Sequence, residues 1–252
     1  MTEKRYNCKK TSQGAPETDC VEPINGSGAL GQQTVPGDGR NRRLIGIAPE
    51  GMPIIAGLAF VTLYLGALGF GAAALFFLIA TVFTVFFFRD PDRLIPAQPG
   101  VVVSPADGKI VCVETGLCPF TSEQALKISV FMSVFNVHVN RIPDDATVVD
   151  VQYHPGCFFS ANLDKASRDN EHNAVVLKLH DGRCMVVVQI AGLIARRIVC
   201  RIHPGERLSR GQRFGIICFG SRVDLYLPTD TKPAVCVGDK VLAGLSIVGH
   251  LS

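Results

Sequence analysis

The stretch RFGIICFGSRVDLYLP, residues 213–228, places a Gly-Ser pair between two apolar runs. An isolated glycine inside a strand pattern usually marks a β-bulge. Ser221 lacks the G-x-S-x-G surroundings of a hydrolase nucleophile, so ordinary hydrolysis does not explain it. Gly220-Ser221 therefore leaves two hypotheses, a bulge in a strand or a peptide bond that is itself the substrate of a reaction.

The composition indicates a globular chain with a sizeable core and little net charge. Of the 252 residues, 47% are hydrophobic, and the formal net charge is +3. The net charge is too small, and the basic residues are too scattered, to favour a nucleic-acid partner. The nine cysteines include no C-x-x-C pair, so metal-ligand spacing is absent. We predict reduced thiols, no metal site and no nucleic-acid partner.

The first 88 residues divide into two parts of opposite character. Residues 1–50 are rich in Gly, Ser, Thr, Pro, Asn and Gln, which predicts a polar flexible tail. Residues 51–88 contain no charged side chain, and this run is about twice the ~20 apolar residues that a spanning helix needs. The glycines of GALGFG, residues 66–71, predict a turn between two short helices.

This apolar hairpin predicts association with a membrane. Arginines flank both of its ends, and the positive-inside tendency then places both ends on the cytoplasmic side. Each half is at the short limit for a span, so true crossing and shallow insertion both stay open. The alternative is the buried core hairpin of a soluble protein.

From residue 89 to residue 252 the pattern is that of a β-rich domain. Short apolar or alternating runs separated by Pro, Gly, Asp and Asn predict a mainly β (α+β) fold, a compact barrel or sandwich. A weak repeat, GERLSRGQRFG (205–215) and GDKVLAGLSIV (238–248), predicts β-turns at corresponding places. The nine predicted strand segments are KIVCVE, LKISVFM, NVHVN, TVVDVQY, NAVVLKL, CMVVVQI, FGIICFG, VDLYL and LSIVG.

Two polar residues next to predicted strands are candidates for chemistry. Asp107 lies in the turn SPADG, residues 104–108, where an aspartate is either a turn former or a catalyst. His138 lies in NVHVNRIP between two valines, and strict alternation puts it on one face with Asn136 and Asn140. That polar face either lines a pocket or meets water.

A long polar loop, residues 153–173, is the kind of segment that covers a site, and it contains His154 and His172. Its DKA sequence at 164–166 suggests a lipoyl carrier domain, which attaches its cofactor to a lysine and is also a small β-barrel. A carrier lysine should lie at the tip of a tight hairpin, whereas Lys165 lies in a loop of about twenty residues.

Several ordered motifs together carry a resemblance to a known family. The chain resembles a phosphatidylserine decarboxylase proenzyme of the short bacterial and archaeal type, over about residues 50–252. The polar tail lies outside the match. The motifs are FFFRDPDR (86–93), SPADG, NVHVNRIP, YHPG, KASRDNEHN, QIAGLIARRIV (189–199) and RFGIICFGSRVDLYLP.

The resemblance implies that the protein cuts its own Gly220-Ser221 bond. The serine Oγ attacks the glycine carbonyl, and elimination of the resulting ester followed by hydrolysis turns residue 221 into a pyruvoyl group. This covalent cofactor is the electron sink, and neither pyridoxal phosphate nor a metal is required. A β chain of residues 1–220 and an α chain of residues 221–252 result. A homo-oligomer is left open.

By the same resemblance, the pyruvoyl group forms a Schiff base with phosphatidylserine, and loss of CO₂ gives phosphatidylethanolamine. Such an enzyme is expected at the cell (inner) membrane, with its catalytic domain, residues 89–252, on the cytoplasmic side. Asp107 matches the self-cleavage aspartate of the family. His138 matches the histidine of the decarboxylation site, as a proton donor or a contact of the substrate carboxylate.

One position departs from the pattern of long-type members. They carry a second histidine three residues after the first, which relays a proton from the serine, and here Arg141 stands in its place. Three sources of the base stay open: His138 serves both steps, His154 or His172 supplies it from the loop, or Asp107 acts with a raised pKa or through water.

Two alternative functions follow from the same residues. The substrate is archaetidylserine or another serine phospholipid, because the site reads the head group and need not read the tails. Alternatively, the chain is a non-catalytic, lipoyl-like β-module bound to the membrane.

Overall fold

The computed structural model describes residues 46–157, 170–192, 197–218 and 220–252. The predicted tail lies outside the described residues except for its last five positions, and so do Lys165 and most of the polar loop. The described part contains two helices followed by fourteen strands. The predicted mainly β fold with a preceding helical hairpin is confirmed.

The two helices are α1, Met52–Ala67, and α2, Gly71–Phe87. Gly69 between them has φ +79°, a left-handed conformation that glycine adopts without strain, so the predicted glycine turn is confirmed. No residue of α1 is buried, and the helix with its leading turn, residues 49–67, is long and apolar enough to cross a membrane. The alternative of a buried core hairpin is therefore wrong.

Three threonine hydroxyl groups of the hairpin are satisfied within their own helices. The hydroxyl groups of Thr62, Thr81 and Thr84 each donate to the carbonyl oxygen four residues earlier, at 2.7–2.8 Å. A helix surrounded by lipid has no water to satisfy such groups, and this bond satisfies them internally. The exposed apolar surface and the internal bonds both fit a membrane environment.

Eight antiparallel strands form one curled, half-barrel sheet in the order β13-β2-β3-β11-β7-β6-β5-β9. Two three-stranded sheets, β4-β10-β8 and β1-β14-β12, complete the domain. The strands are β1 Val101–Val103, β2 Gly108–Leu117, β3 Gln124–Met132, β4 Val139–Arg141, β5 Ala146–His154, β6 His172–Leu179, β7 Cys184–Ala191, β8 Ile198–Cys200, β9 Arg207–Leu208, β10 Arg213–Ile217, β11 Ser221–Pro228, β12 Lys232–Pro233, β13 Lys240–Val241 and β14 Ile247–His250. Each of the nine predicted segments overlaps one of these strands.

The repeat predicted from the sequence is also present in the structure, as equivalent turns. Gly205 and Gly211, and likewise Gly238 and Gly244, all have positive φ, between 74° and 108°. The short strands β9 and β13 follow the first glycine of each repeat and pair with β5 and β2, at the two edges of the large sheet. The paired turns therefore finish both edges in the same way.

Both faces of the central strands are buried. One face carries the main hydrophobic core, called the inner cluster here, which includes Met132, Val187, Ala191 and Val223. The opposite face carries the outer cluster, made of Cys118, Ala125, Ala174, Val176, Val186, Val188, Ile190 and Tyr226. Because β6 and β7 are buried on both sides, their sequences are rich in Val, Ile and Leu, whereas β11, also buried on both sides, includes charged residues that are buried.

Candidate active site

Gly220 and Ser221 lie where the chain passes from one sheet to another. β10 belongs to the sheet with β4 and β8, and β11 begins at Ser221 in the middle of the large sheet, between β3 and β7. The ladders of β11 run without a register shift from Ser221 onward, so the paired part of this strand contains no bulge. Gly220 has φ +61°, a conformation in which other residues are strained.

The Ser221 side chain is fully buried on the inner face of the sheet. Ser221 pairs directly with Met132 of β3 and Ala191 of β7, both of the inner cluster, and directly paired residues share a face. Its Oγ has no hydrogen-bond partner among the described residues. An unsatisfied buried hydroxyl costs about 1–3 kcal/mol. Such a cost marks Ser221 as a site of chemistry or strain rather than a packing residue.

His138, like Ser221, is one of five residues with a buried side-chain polar atom that has no hydrogen-bond partner among the described residues. It is fully buried, and its ring lies 4.3 Å from the ring of Phe87, at the end of the apolar hairpin. Its Nδ1 lies 2.9 Å from the carbonyl oxygen of Asn136 and so carries the proton, because that oxygen can only accept. Nε2 is then an unprotonated acceptor, with no partner among the described residues.

Burial, together with the charge of Arg89, lowers the pKa of His138 to about 4, although the bond to Asn136 and the charge of Asp107 oppose the change. The imidazole is therefore neutral at neutral pH. A neutral ring with a free Nε2 is the form of histidine that accepts a proton.

A ladder of buried amides connects the strand that follows His138 to the face of Ser221. Asn173 donates to Gln189 at 3.1 Å, and Gln189 donates to Asn140 at 2.9 Å. Asn140 in turn lies 3.8 Å from the sulfur of Met132, the direct partner of Ser221 on β3. The predicted polar face around His138 therefore turns inward rather than to water.

Asn136, which alternation placed on that same face, does not lie in a strand. It closes the preceding turn, where its side-chain oxygen accepts bonds from the backbone N–H and the hydroxyl of Ser133. The strand begins only at Val139.

Asp107 is buried and fully engaged. Both of its carboxylate oxygens accept bonds from the guanidinium of Arg93, at 2.5 and 2.8 Å, and Oδ1 also accepts the backbone N–H of Ala243. The other repeat, residues 205–215, has an equivalent of the bond from Ala243: the backbone N–H of Arg210 donates to Asp145. The backbone bond is thus a feature of the repeat, whereas burial and the bidentate arginine are specific to Asp107.

Arg141 stands where long-type relatives carry their second histidine, and its side chain has a structural role. It donates to the carbonyl oxygens of Pro91 and Gly211 and pairs with Asp90 at 3.2 Å. Burial lowers its pKa to about 9, so the guanidinium is charged at neutral pH. A charged guanidinium cannot accept the serine proton.

The structure places His154 and His172 on the other face of the sheet. The two are direct partners on β5 and β6, and their rings stack at 4.8 Å. His172 is also paired with Ile190 of the outer cluster, which is paired with Arg222. Arg222 follows Ser221, and consecutive strand residues point to opposite faces. The sheet itself therefore separates both loop histidines from the Ser221 side chain.

Sequence reasoning missed Arg93 as the partner of Asp107, and it missed Gln189 and Asn173. In the sequence Arg93 is only one of the arginines that flank the apolar hairpin, but in the structure its side chain is only 7% exposed. The signal for Gln189 was a lone amide within the valine-rich run of β7, since a buried amide needs a partner.

The fold and the site define the class of protein: a β-rich domain that follows an exposed apolar helical hairpin and holds a buried serine without a hydrogen-bond partner among the described residues. The family model of phosphatidylserine decarboxylase matches residues 80–249. The chain is 55% identical over 206 residues to the phosphatidylserine decarboxylase proenzyme of Ralstonia nicotianae, covering 81% of this chain and 95% of that protein. Proteins of the same name from Burkholderia vietnamiensis and Ralstonia pickettii are 54% and 53% identical, over 81% of this chain and 96% and 95% of theirs.

The chain belongs to the phosphatidylserine decarboxylase family. As a member it is a carboxy-lyase made as a proenzyme, with a pyruvoyl group formed from a serine as its cofactor. The resemblance drawn from the motifs is confirmed. These findings oppose the hypothesis of a lipoyl-like module.

Proposed function

We propose that the Gly220-Ser221 bond is the self-cleavage site, that Ser221 becomes the pyruvoyl group, and that His138 is the base. The observation that carries the proposal is a pair of buried atoms without partners among the described residues, Ser221 Oγ and the unprotonated Nε2 of His138. Of the three sources of base left open by the sequence, His138 is the one with a free, buried acceptor.

The other two sources fit the geometry less well. His154 and His172 lie across the sheet from the serine side chain. The Asp107 carboxylate is already occupied by three N–H donors, from Arg93 and Ala243. Its charge instead raises the pKa of His138 against the effects of burial and Arg89. We therefore assign Asp107 a positioning role that acts through His138.

Self-cleavage then proceeds in balanced steps on the chain itself. His138 Nε2 takes the hydroxyl proton of Ser221 while Oγ bonds to the carbonyl carbon of Gly220. The peptide C–N bond breaks, the amine of residue 221 takes the proton back, and an ester has replaced the amide. Loss of the proton on Cα of residue 221 expels the Gly220 carboxylate and leaves dehydroalanine. This tautomerises to an imine, and water releases ammonia to give the pyruvoyl end.

The environment of Ser221 fits that group. The residue is held between two neighbouring strands, β3 and β7, and faces a buried, mostly apolar side of the sheet. The pyruvoyl carbonyl supplies an electrophile for the substrate amine and accepts the electron pair left by the departing carboxylate. The buried surroundings exclude water, and we assign to His138 the holding or delivery of a proton there.

We also propose the division and the location of the chain. Residues 51–88 form the membrane hairpin, and residues 89–252 form the catalytic domain, which cleavage divides into a β chain, 1–220, and an α chain, 221–252. Both ends of the hairpin then face the cytoplasm at the inner membrane, as its flanking arginines favour. A two-tailed substrate is met at the bilayer, where the hairpin holds the domain.

Intact-mass measurement of the purified protein tests the proposal. We expect two chains, the smaller beginning at residue 221 with a pyruvoyl end, and a single chain in Ser221→Ala. Purified wild type should release CO₂ from phosphatidylserine, and Ser221→Ala should not. A wild type that remains one intact chain, with the mass pattern of Ser221→Ala, contradicts the proposal. Comparing the rates with phosphatidylserine and archaetidylserine in the same assay shows whether the enzyme distinguishes between the two lipid backbones.

A further inference from the structure

The turn that precedes His138 presents a large apolar side chain to the outside. Phe135 is 66% exposed, although its neighbours in the chain lead directly into the buried site. The turn is fixed rather than loose, since Asn136 accepts bonds from the backbone N–H of Ser133 at 2.8 Å and from its hydroxyl at 2.7 Å. A fixed, exposed phenylalanine calls for a partner when it adjoins other exposed apolar surface.

That adjoining surface is the end of the membrane hairpin. The guanidinium of Arg89 donates to the carbonyl oxygen of Phe135 at 2.6 Å and to that of Phe86 at 2.7 Å. It also lies 3.9 Å from the ring centre of Phe86, which is 43% exposed. A single arginine thus ties the turn to the last turn of α2, and the two exposed phenylalanines belong to one continuous edge of the molecule.

We propose that the Ser133–Asn136 turn is a second membrane contact, with Phe135 inserted among the lipids of an anionic phospholipid bilayer beside the end of the hairpin. The inference rests on the membrane-bound function proposed above. Continuity with the hairpin decides in favour of a bilayer, and the positive charge of Arg89 at this edge complements anionic head groups. An aromatic side chain at the lipid–water boundary is a common anchor.

The contact has a consequence for catalysis. Phe135 lies three residues before His138, and the His138 ring packs on Phe87 of the same helix end. The turn and the helix end therefore set the depth of this side of the site relative to the bilayer. With Phe135 inserted, the site opens at the level of the head groups, and a lipid substrate reaches it without leaving the membrane.

The sequence offers a direct test because it contains no tryptophan. Phe135→Trp gives a protein with one fluorophore at the turn. Leu117→Trp is the matched control, because Leu117 is similarly exposed, at 61%. It lies at the far end of β2, about 30 Å from the first residue of that strand, Gly108, at ~3.3 Å per residue. Both proteins are mixed with vesicles of phosphatidylcholine and phosphatidylglycerol, with and without bromine on the acyl chains.

We expect a blue-shifted emission and quenching by brominated lipid for Phe135→Trp, and neither change for Leu117→Trp. Equal quenching of both positions, or of neither, overturns the inference. This readout needs no decarboxylation, so it stands apart from the proposed function. An inactive protein that still shows quenching at residue 135 alone would contradict that function and leave the membrane contact intact.

Activity supplies the second readout. We expect Phe135→Ser to decarboxylate phosphatidylserine in vesicles about tenfold more slowly, because the variant loses the apolar burial that holds the turn at the bilayer. Its activity on a soluble, short-chain phosphatidylserine should match wild type, and Leu117→Ser should match wild type on both. An equal loss on both substrates would show a merely structural role and overturn the inference.

Discussion

Two histidines of this chain make the same local contact to the backbone but differ in their burial, their neighbours and the face of the sheet on which they lie. His138 and His172 each direct Nδ1 at the carbonyl oxygen two residues earlier, at 2.9 and 2.7 Å. His138 lies buried under Phe87, with a free Nε2. His172 lies on the opposite face of the large sheet, stacked on His154 and 5.9 Å from the ring of Phe120. The face of the sheet, rather than the local motif, decides which histidine can serve Ser221.

The largest expected effect concerns the outer face directly behind the reactive residue. Arg222 is buried and donates to Asp224 at 2.6 Å and to the hydroxyl of Ser129 at 2.8 Å. Breaking a buried ion pair on one side costs about 3–5 kcal/mol. Arg222→Met in a Ser221→Ala background, which keeps the chain intact, should lower the free energy of unfolding by about that amount. Urea unfolding measures it, and a change below about 1 kcal/mol would show that the pair is not structural.

The second effect compares Asp107 and Asp145, the two aspartates that accept equivalent backbone N–H groups of the two repeats. Asp107→Asn removes the charge that supports the pKa of His138 and leaves Arg93 without its carboxylate, so self-cleavage should slow by about tenfold or more. Asp145→Asn keeps a side-chain oxygen for the Arg210 N–H and should cleave like wild type. The rate is followed by gel after cell-free synthesis. Equal rates in the two variants would remove Asp107 from the account.

The third effect is the pH dependence of self-cleavage. Burial lowers the pKa of His138 to about 4, so the ring stays unprotonated as pH falls from 8 to 5. The self-cleavage rate should change by less than about threefold in that range and fall only as pH approaches 4. A base with the ordinary histidine pKa of about 6.5 would instead lose most of its rate by pH 5. Freshly synthesised proenzyme transferred to buffers of different pH gives the profile.

The smallest effect is expected from the outer histidines. The double change His154→Gln and His172→Gln alters a half-exposed, stacked pair on the face away from Ser221, so cleavage and decarboxylation should both stay within about twofold of wild type. Loss of cleavage with an unchanged unfolding midpoint would return these residues to the list of bases.

The sequence was sufficient for the elements whose signals are local. The charge-free run predicted the hairpin, alternating runs predicted the strands, and glycines six residues apart predicted the turns at Gly205 and Gly211 that the structure contains. These features depend on the residues of each turn and on hydrophobic patterns within about ten residues, and both can be identified in a single sequence.

The faces of the central strands could not be predicted in this way. β6, β7 and β11 are buried on both sides, so the alternation of side chains in the sequence does not indicate which side faces the inner cluster. The pairing of Arg93 with Asp107, and of Arg141 with Asp90, joins segments brought together only by the fold. For the same reason, the choice among the candidate bases needed the register of the sheet.

The most direct test of the central claim is the cleaved fraction of His138→Gln, a change that keeps a polar side chain of similar size but cannot take the serine proton. The account predicts an uncleaved chain of full length, folded as judged by the same unfolding midpoint as Ser221→Ala, under conditions where wild type is fully cleaved. A His138→Gln protein that cleaves at the wild-type rate, with a pyruvoyl end at residue 221, would contradict it.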